Sequence, residues 1–206
     1  MTCLTVAAHF SAYALEYEVW ISPLGPAQTV ETNTYSSGGI IGTPTYPLRC
    51  PDPGTFNWVM THDLTNNYMT IHFMAGTFNL PVYYYCVGVN VSILLQPGWK
   101  LRGAGIDITV FQLEPTNLAN HVTYMLWGPY FTGGPPVEGG VEVSDMTINC
   151  NLQNQSGATS ISAIGLYGND TRISRVKAIN WGTTPQGAEM VVLWLQPGSA
   201  CATNCH

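Results

Sequence analysis

Val141-Glu142-Val143-Ser144-Asp145-Met146-Thr147-Ile148-Asn149-Cys150-Asn151 is followed, after a polar spacer, by Ile161-Ser162-Ala163-Ile164-Gly165-Leu166-Tyr167-Gly168-Asn169-Asp170. Thr171-Arg172-Ile173-Ser174-Arg175-Val176-Lys177-Ala178-Ile179-Asn180-Trp181-Gly182 comes next. Ile173-Ser174-Arg175-Val176 lies over Val143-Ser144-Asp145-Met146 at an offset of 30. Both pieces alternate apolar and polar residues, the period-2 mark of a strand with one buried face. Both close on an Asn. Short strands that return every few tens of residues, with Asn and Gly at the corners, predict a stacked β-solenoid.

A chain of 206 residues suits one domain with a sizeable core. The expectation is one all-β domain over 17–206, with 1–16 a degenerate signal peptide or a cap. Ala12-Tyr13-Ala14 resembles a cleavage site, although no basic segment precedes it. That segment points to an extracellular or periplasmic protein. Charged residues make up only 9 %, beside 21 Gly and 11 Tyr, so amides and hydroxyls carry the surface. A net charge of −6 argues against a nucleic-acid partner. With six Lys and Arg in all, a basic patch can form only around Arg172, Arg175 and Lys177. No apolar run reaches the ~18 residues of a membrane span. Six cysteines (Cys3, Cys50, Cys86, Cys150, Cys201, Cys205) predict disulfides in an exported chain. Cys201-Ala202-Thr203-Asn204-Cys205-His206 reads as a small closed loop or a metal hook.

Along the chain, 17–24 reads as a first strand and 25–55, rich in Gly and Pro, as an irregular excursion. Phe56, Val59, Met60 and Asp63 recur at helical spacing, which predicts a short helix over 55–66 that caps the open end of the core. Strands follow at Met69–Met74, Ala75–Phe78, Val91–Leu95, Trp99–Arg102, Asp107–Leu113, Val122–Trp127 and Met190–Leu195. Gly103-Ala104-Gly105 is a sharp corner between two of them. Without a helix behind it, it is no phosphate loop.

Stacking at the offset of 30 sets Asp145 beneath Arg175, with Asp170 at the corner before the same strand. Asp145, Asp170 and Glu189 form the candidate acidic cluster. Carboxylates on adjacent coils can share a Ca²⁺ or work as acid and base. The plainer reading is an Asx-type turn at Asp170 and a surface pair between Asp145 and Arg175. Asn149, Asn151 and Asn180 stand near equivalent strand ends and predict a ladder of stacked amides. His62, His72 and His121 are scattered, and His72 points outward by alternation. Tyr83-Tyr84-Tyr85, Trp127, Tyr130, Phe131 and Trp181 serve either sugar stacking or packing.

The series Ala75-Gly76-Thr77-Phe78, then Trp99-Lys100-Leu101-Arg102-Gly103-Ala104-Gly105 with Thr109 after it, then Val143–Asn149 and Ile173–Asn180 resembles the N-terminal half of pectin-lyase-like proteins. The resemblance covers about Met69 to Gly182. It implies a right-handed parallel β-helix with a short N-terminal capping helix, in a short or truncated form. It implies a polysaccharide lying along one sheet face and a secreted carbohydrate-active enzyme, a hydrolase or a lyase. Arg175-Val176-Lys177 is similar to the Arg-x-Lys element with which polygalacturonases hold a substrate carboxylate. The paired Asp-Asp and the Gly-His-Gly of those enzymes are missing. The candidate catalytic residues are Asp145, Asp170, Arg175 and Lys177, and the candidate substrate-binding residues are Trp181, Tyr167 and Arg172. Asp145, Asp170 and Glu189 are the candidate Ca²⁺ ligands. The other functions carried by the sequence are a hydrolase of a small ester or lactone, with or without calcium, and a non-catalytic glycan-binding surface module.

Overall fold

The computed structural model describes residues 17–29, 42–64, 66–86, 89–115, 122–128, 140–157, 160–166, 170–183, 193–195 and 201–203, with backbone alone at 17, 84–86, 89, 183, 193–195 and 201–203. The elements in order are β1 (Tyr17–Ser22), β2 (Leu48–Arg49), α1 (Pro53–Trp58), β3 (Met69–Phe73), β4 (Gly76–Leu80), β5 (Tyr83–Cys86), β6 (Val89–Leu94), β7 (Lys100–Gly103) and β8 (Thr109–Leu113). They continue with β9 (Val122–Gly128), β10 (Glu142–Asn149), β11 (Ser160–Leu166), β12 (Arg172–Ile179), β13 (Gly182–Thr183), β14 (Leu193–Leu195) and β15 (Cys201–Thr203).

Two curled sheets enclose one core. The first runs β15-β12-β10-β7-β3-β1-β2, with β8 also paired to β10 and β4 to β8, and its strand pairs are parallel. The second runs β13-β11-β9-β6-β5, with β14 beside β11. Its pairs are parallel except β5–β6 and β11–β13. The repeat found in the sequence is the observed register: Glu142 lies opposite Arg172, Val143 opposite Ile173 and Met146 opposite Val176.

Between those partners, Asp145 (φ 60°) and Arg175 (φ 51°) both adopt the left-handed conformation. They turn the chain. Before the corner, β10 pairs with β7; after it, Thr147–Asn149 pairs with β8. The corner also breaks the alternation. Val143 and Met146 both point into the core at 0 % exposure, three positions apart, so two successive side chains face outward between them. Asp adopts this conformation readily, whereas Arg rarely does. One coil earlier the corner is Gly103-Ala104-Gly105. Gly105 has φ +148°, and a Cβ on Gly103 would collide with the carbonyl oxygen of Asp145. The buried Thr109 hydroxyl secures this corner by donating to the Phe73 and Met74 carbonyls and accepting from Ala104 N–H.

The helix begins two residues earlier than expected because Asp52 caps it, accepting from Thr55 N–H at 2.9 Å, and Pro53 follows. It then loosens into a π-helical turn over Val59–Asp63. Its buried face is Phe56, Val59 and Met60. Phe56 enters a cluster with Phe73, Phe78 and Phe111, with ring centroids 4.7 to 6.4 Å apart. Full burial contributes about 1.5–3 kcal/mol for each such ring. The amide ladder is present as Gln112–Asn149–Asn180, at 3.2 and 2.8 Å. Asn151 departs from it: its left-handed backbone turns the side chain inward, where it donates to the Leu113 carbonyl.

Two expectations are corrected, at Tyr83–Cys86 and at the buried cysteines. Tyr83–Cys86 is a strand, paired antiparallel to β6, and was read only as an aromatic run. Cys201–Thr203 forms β15, hydrogen-bonded to Arg172–Ser174, and the closed loop or metal hook expected of Cys201, Cys205 and His206 lies outside the described residues. Cys50 and Cys150 are not in disulfides. They are free and buried, each packed in the core as a small apolar side chain. Burial raises both thiol pKa values, that of Cys150 to about 12. Cys3, Cys205 and the side chains of Cys86 and Cys201 lie outside the described residues. Among those residues no helix is long and apolar enough to cross a membrane.

Candidate functional site: a cationic sheet face

The outward side of β7, β10 and β12 forms a groove of about 580 Å³. Arg102 comes from β7, Glu142, Ser144 and Asp145 from β10, and Arg172, Ser174 and Arg175 from β12. The alternation that buries Leu101, Val143 and Ile173 is what turns these neighbours outward.

Two ion pairs divide the groove. Arg175 binds Asp145 through both nitrogen arms, Nε to Oδ1 at 2.5 Å and a terminal nitrogen to Oδ2 at 2.7 Å. Those hydrogen bonds hold the Asp145 carboxyl below the usual carboxylate range. Arg102 faces Glu142 at 3.7 Å, an ionic contact longer than a hydrogen bond. Around the corner, Lys177 grips both Asp107 oxygens at 2.9 Å across the intervening coil. Thr147 of that coil donates to Asp107 and accepts from its backbone N–H. Lys177 keeps Asp107 ionised in the same way. Arg172 is exposed, and among the described residues no ion pair occupies it.

The charge is concentrated here. Of the six Lys and Arg in the chain, five stand on two strands: Lys100 and Arg102 on β7, and Arg172, Arg175 and Lys177 on β12. A chain of net charge −6 thus places four of its six cations on this face and a fifth, Lys177, just beyond the corner.

No family model matches the chain, and no curated protein sequence matches it. Among solved structures, it is similar to the A-module of the mannuronan C-5 epimerase AlgE4 of Azotobacter vinelandii. The similarity spans 53 % of this chain and 29 % of that module, at 20 % identity and a TM-score of 0.40. A likeness of that size assigns neither fold nor activity to this chain.

Of the candidates named from the sequence, the groove unites Asp145, Arg175 and Arg172. Lys177 stands next to it, beyond the corner. Asp170 occupies a left-handed, exposed position before β12 and does not line the groove. Trp181 is partly buried and packs against the core. Tyr167 and Glu189 lie outside the described residues. Within those residues no group of three His, Cys, Asp or Glu is placed to hold a metal.

Glu142, Arg102, Lys100 and Asp107 were missed. A signal for two of them existed. Thr70-Ile71-His72 matches Lys100-Leu101-Arg102 at the same offset of 30, and the two segments are register partners. From Lys100 to Glu142 the spacing grows to 42, so a search at one period stops there.

Proposed function

We propose that the chain is a right-handed parallel β-helix of the pectin-lyase-like kind, and that it binds an acidic polysaccharide along the outer face of β7, β10 and β12. The observation that carries the ligand class is the gathering of four of the six cations on this face, with a fifth, Lys177, just beyond its corner. A uronate chain offers one carboxylate per sugar, and guanidinium forks match carboxylates in geometry and charge. Arg172 is the primary anchor. Stacked parallel strands about thirty residues apart and a helix packed on β4 support the β-helix reading.

Eliminative cleavage fits the groove better than hydrolysis. Hydrolysis needs one protonated and one ionised carboxyl across the scissile bond. Asp145 and Asp107 are both held ionised by their partner cations, so neither is a proton donor near neutral pH. Elimination needs a cation to neutralise the uronate carboxylate, which acidifies the adjacent C–H. Arg172 and Arg102 supply that charge. Glu142, whose contact with Arg102 is loose, accepts the proton. The carbon–oxygen bond on the neighbouring carbon then breaks, an unsaturated uronate forms, the leaving oxygen takes a proton from water, and the hydroxide so formed takes the proton from Glu142 and restores its carboxylate. One observation favours a second reading, a non-catalytic glycan-binding module: most charges of the face are already paired within the protein.

Incubation with polygalacturonate and with alginate tests this, followed by the absorbance of unsaturated products and by binding. Glu142→Gln is expected to abolish product while retaining binding. Arg172→Ala is expected to weaken binding roughly tenfold. Binding without any product selects the second reading. Uronate binding no stronger than that of a neutral glucan overturns both.

A further inference from the structure

The groove does not end at Arg102. Ser174, Ser144, Arg102, His72 and Trp20 are successive register partners on β12, β10, β7, β3 and β1. Five strands at the usual spacing make this line about 19 Å long. Its far end holds a second hollow of about 320 Å³, between Trp20 and His72 on one side and Arg102 on the other. Arg102 lines both hollows.

The walls of this hollow differ in character. Trp20 and His72 stack as parallel rings, with centroids 4.4 Å apart and planes inclined by 8°. The floor is small: Ala75, Gly103 and Ala104. Gly103 carries no side chain, and the direction its Cβ would take is filled by the Asp145 carbonyl of the next coil. Arg102 is half-exposed, and its 3.7 Å contact with Glu142 leaves N–H donors to offer. His72 Nε2 lies 3.6 Å from Glu18 and, among the described residues, has no hydrogen-bond partner. An apolar aromatic wall opposite a cationic fork suits a ring with one C–H face and one carboxylate edge, which is the shape of a uronic acid residue.

We propose that Trp20, His72 and Arg102 form a second sugar subsite, which takes another uronate residue of the same polysaccharide chain bound at Arg172. This rests on the acidic-polysaccharide reading and adds a direction to it: the ligand runs across the strands, from β12 towards β1. Its consequence is length dependence. A digalacturonate fills one end only, whereas a hexagalacturonate reaches both.

Affinities of both oligomers for the whole protein test the subsite. Wild type is expected to bind the hexamer more tightly than the dimer. Trp20→Ala and His72→Ala are expected to lower hexamer affinity roughly five- to tenfold and to leave the dimer unchanged. Arg172→Ala weakens both. Trp20→Phe keeps a flat ring and is expected to preserve the preference for the hexamer. An unchanged hexamer-to-dimer ratio in Trp20→Ala overturns the subsite while the acidic-polysaccharide reading stands. An equal loss in Trp20→Phe marks a packing defect and overturns it as well. If wild type binds no uronate, both fall together.

Discussion

Two sheets share one core, yet their outer faces are opposites. On β7, β10 and β12 the outward side is ionic and open, with Arg102, Glu142, Arg172 and Arg175 around a groove. On β6 and β9 it is largely apolar, and beside β6 a hollow of about 520 Å³ opens between Val91, Leu94, Tyr83 and Met60. Val91, Tyr124 and Trp127 form a second small cluster there, at 3 to 5 % exposure, with the Tyr124 and Trp127 rings 4.1 Å apart. Every residue of β11 is buried on both sides. Inward-facing residues are of the same kind in both sheets, so core packing does not set them apart. What differs is the outward residue in each pair of positions, and that residue assigns one face to solvent and ligand and the other largely to burial.

The deepest test removes what the two sheets share. Phe111 lies at 0 % exposure against Phe56, Phe73 and Phe78. Phe111→Ala is expected to cost about 3–5 kcal/mol in denaturant unfolding. A loss below that range means that the aromatic cluster is not the joint between helix and sheets.

The next test touches the apolar face alone. Gly165 sits beside Trp127 on the neighbouring strand, and a Cβ there would lie 2.6 Å from the indole ring. Gly165→Ala is expected to cost about 1–3 kcal/mol and to shift tryptophan fluorescence, since the ring must move. Stability equal to wild type shows that Trp127 covers this face loosely and narrows the contrast between the two sheets.

The same contrast explains what the sequence disclosed. Period-2 alternation and the offset of 30 located β10 and β12 because inward residues such as Val143 and Ile173 must be apolar on every coil. The Asp145–Arg175 pair followed from register alone. Asp107–Lys177 did not, because an ion pair spanning 70 residues and three coils depends on corner geometry. The corner is a backbone property: alternation ran straight through Arg175, whereas its φ of 51° resets the phase there. The sequence leaves Trp181 between sugar stacking and packing, because an aromatic beside a strand end looks alike whether it faces solvent or core. Packing alone placed it against the core.

On the open face the amide ladder offers a smaller test. Asn180 donates to Asn149 at 2.8 Å and holds a left-handed φ of 54°. Asn180→Ala removes the hydrogen bond and puts a less tolerant residue in that conformation, for an expected loss of about 0.5–1.5 kcal/mol. Asn180→Gly keeps the backbone freedom and separates the two causes: a Gly variant as stable as wild type attributes the whole loss to conformation.

The smallest effect is expected at the corner, and it depends on pH. Asp145→Asn isolates the charge, because Asn accepts the left-handed conformation as readily as Asp. In the folded protein the Arg175 hydrogen bonds hold the Asp145 carboxyl below its usual range. A depressed carboxylate adds stability that is complete above the unfolded value, near pH 4, and is lost as pH falls through the folded value. The wild-type melting temperature is therefore expected to decline as pH drops below about 4, and that of Asp145→Asn to decline less steeply. At neutral pH the variant melts slightly lower, and the gap closes in concentrated salt because the pair is partly exposed and screened. Asp107→Asn is expected to behave alike, since Lys177 holds that carboxyl down in the same way. If both variants track wild type across the acid range, the pairs add no stability. Their arginine and lysine are then available to a ligand at no cost to the fold, which strengthens the assignment of this face to binding over structure.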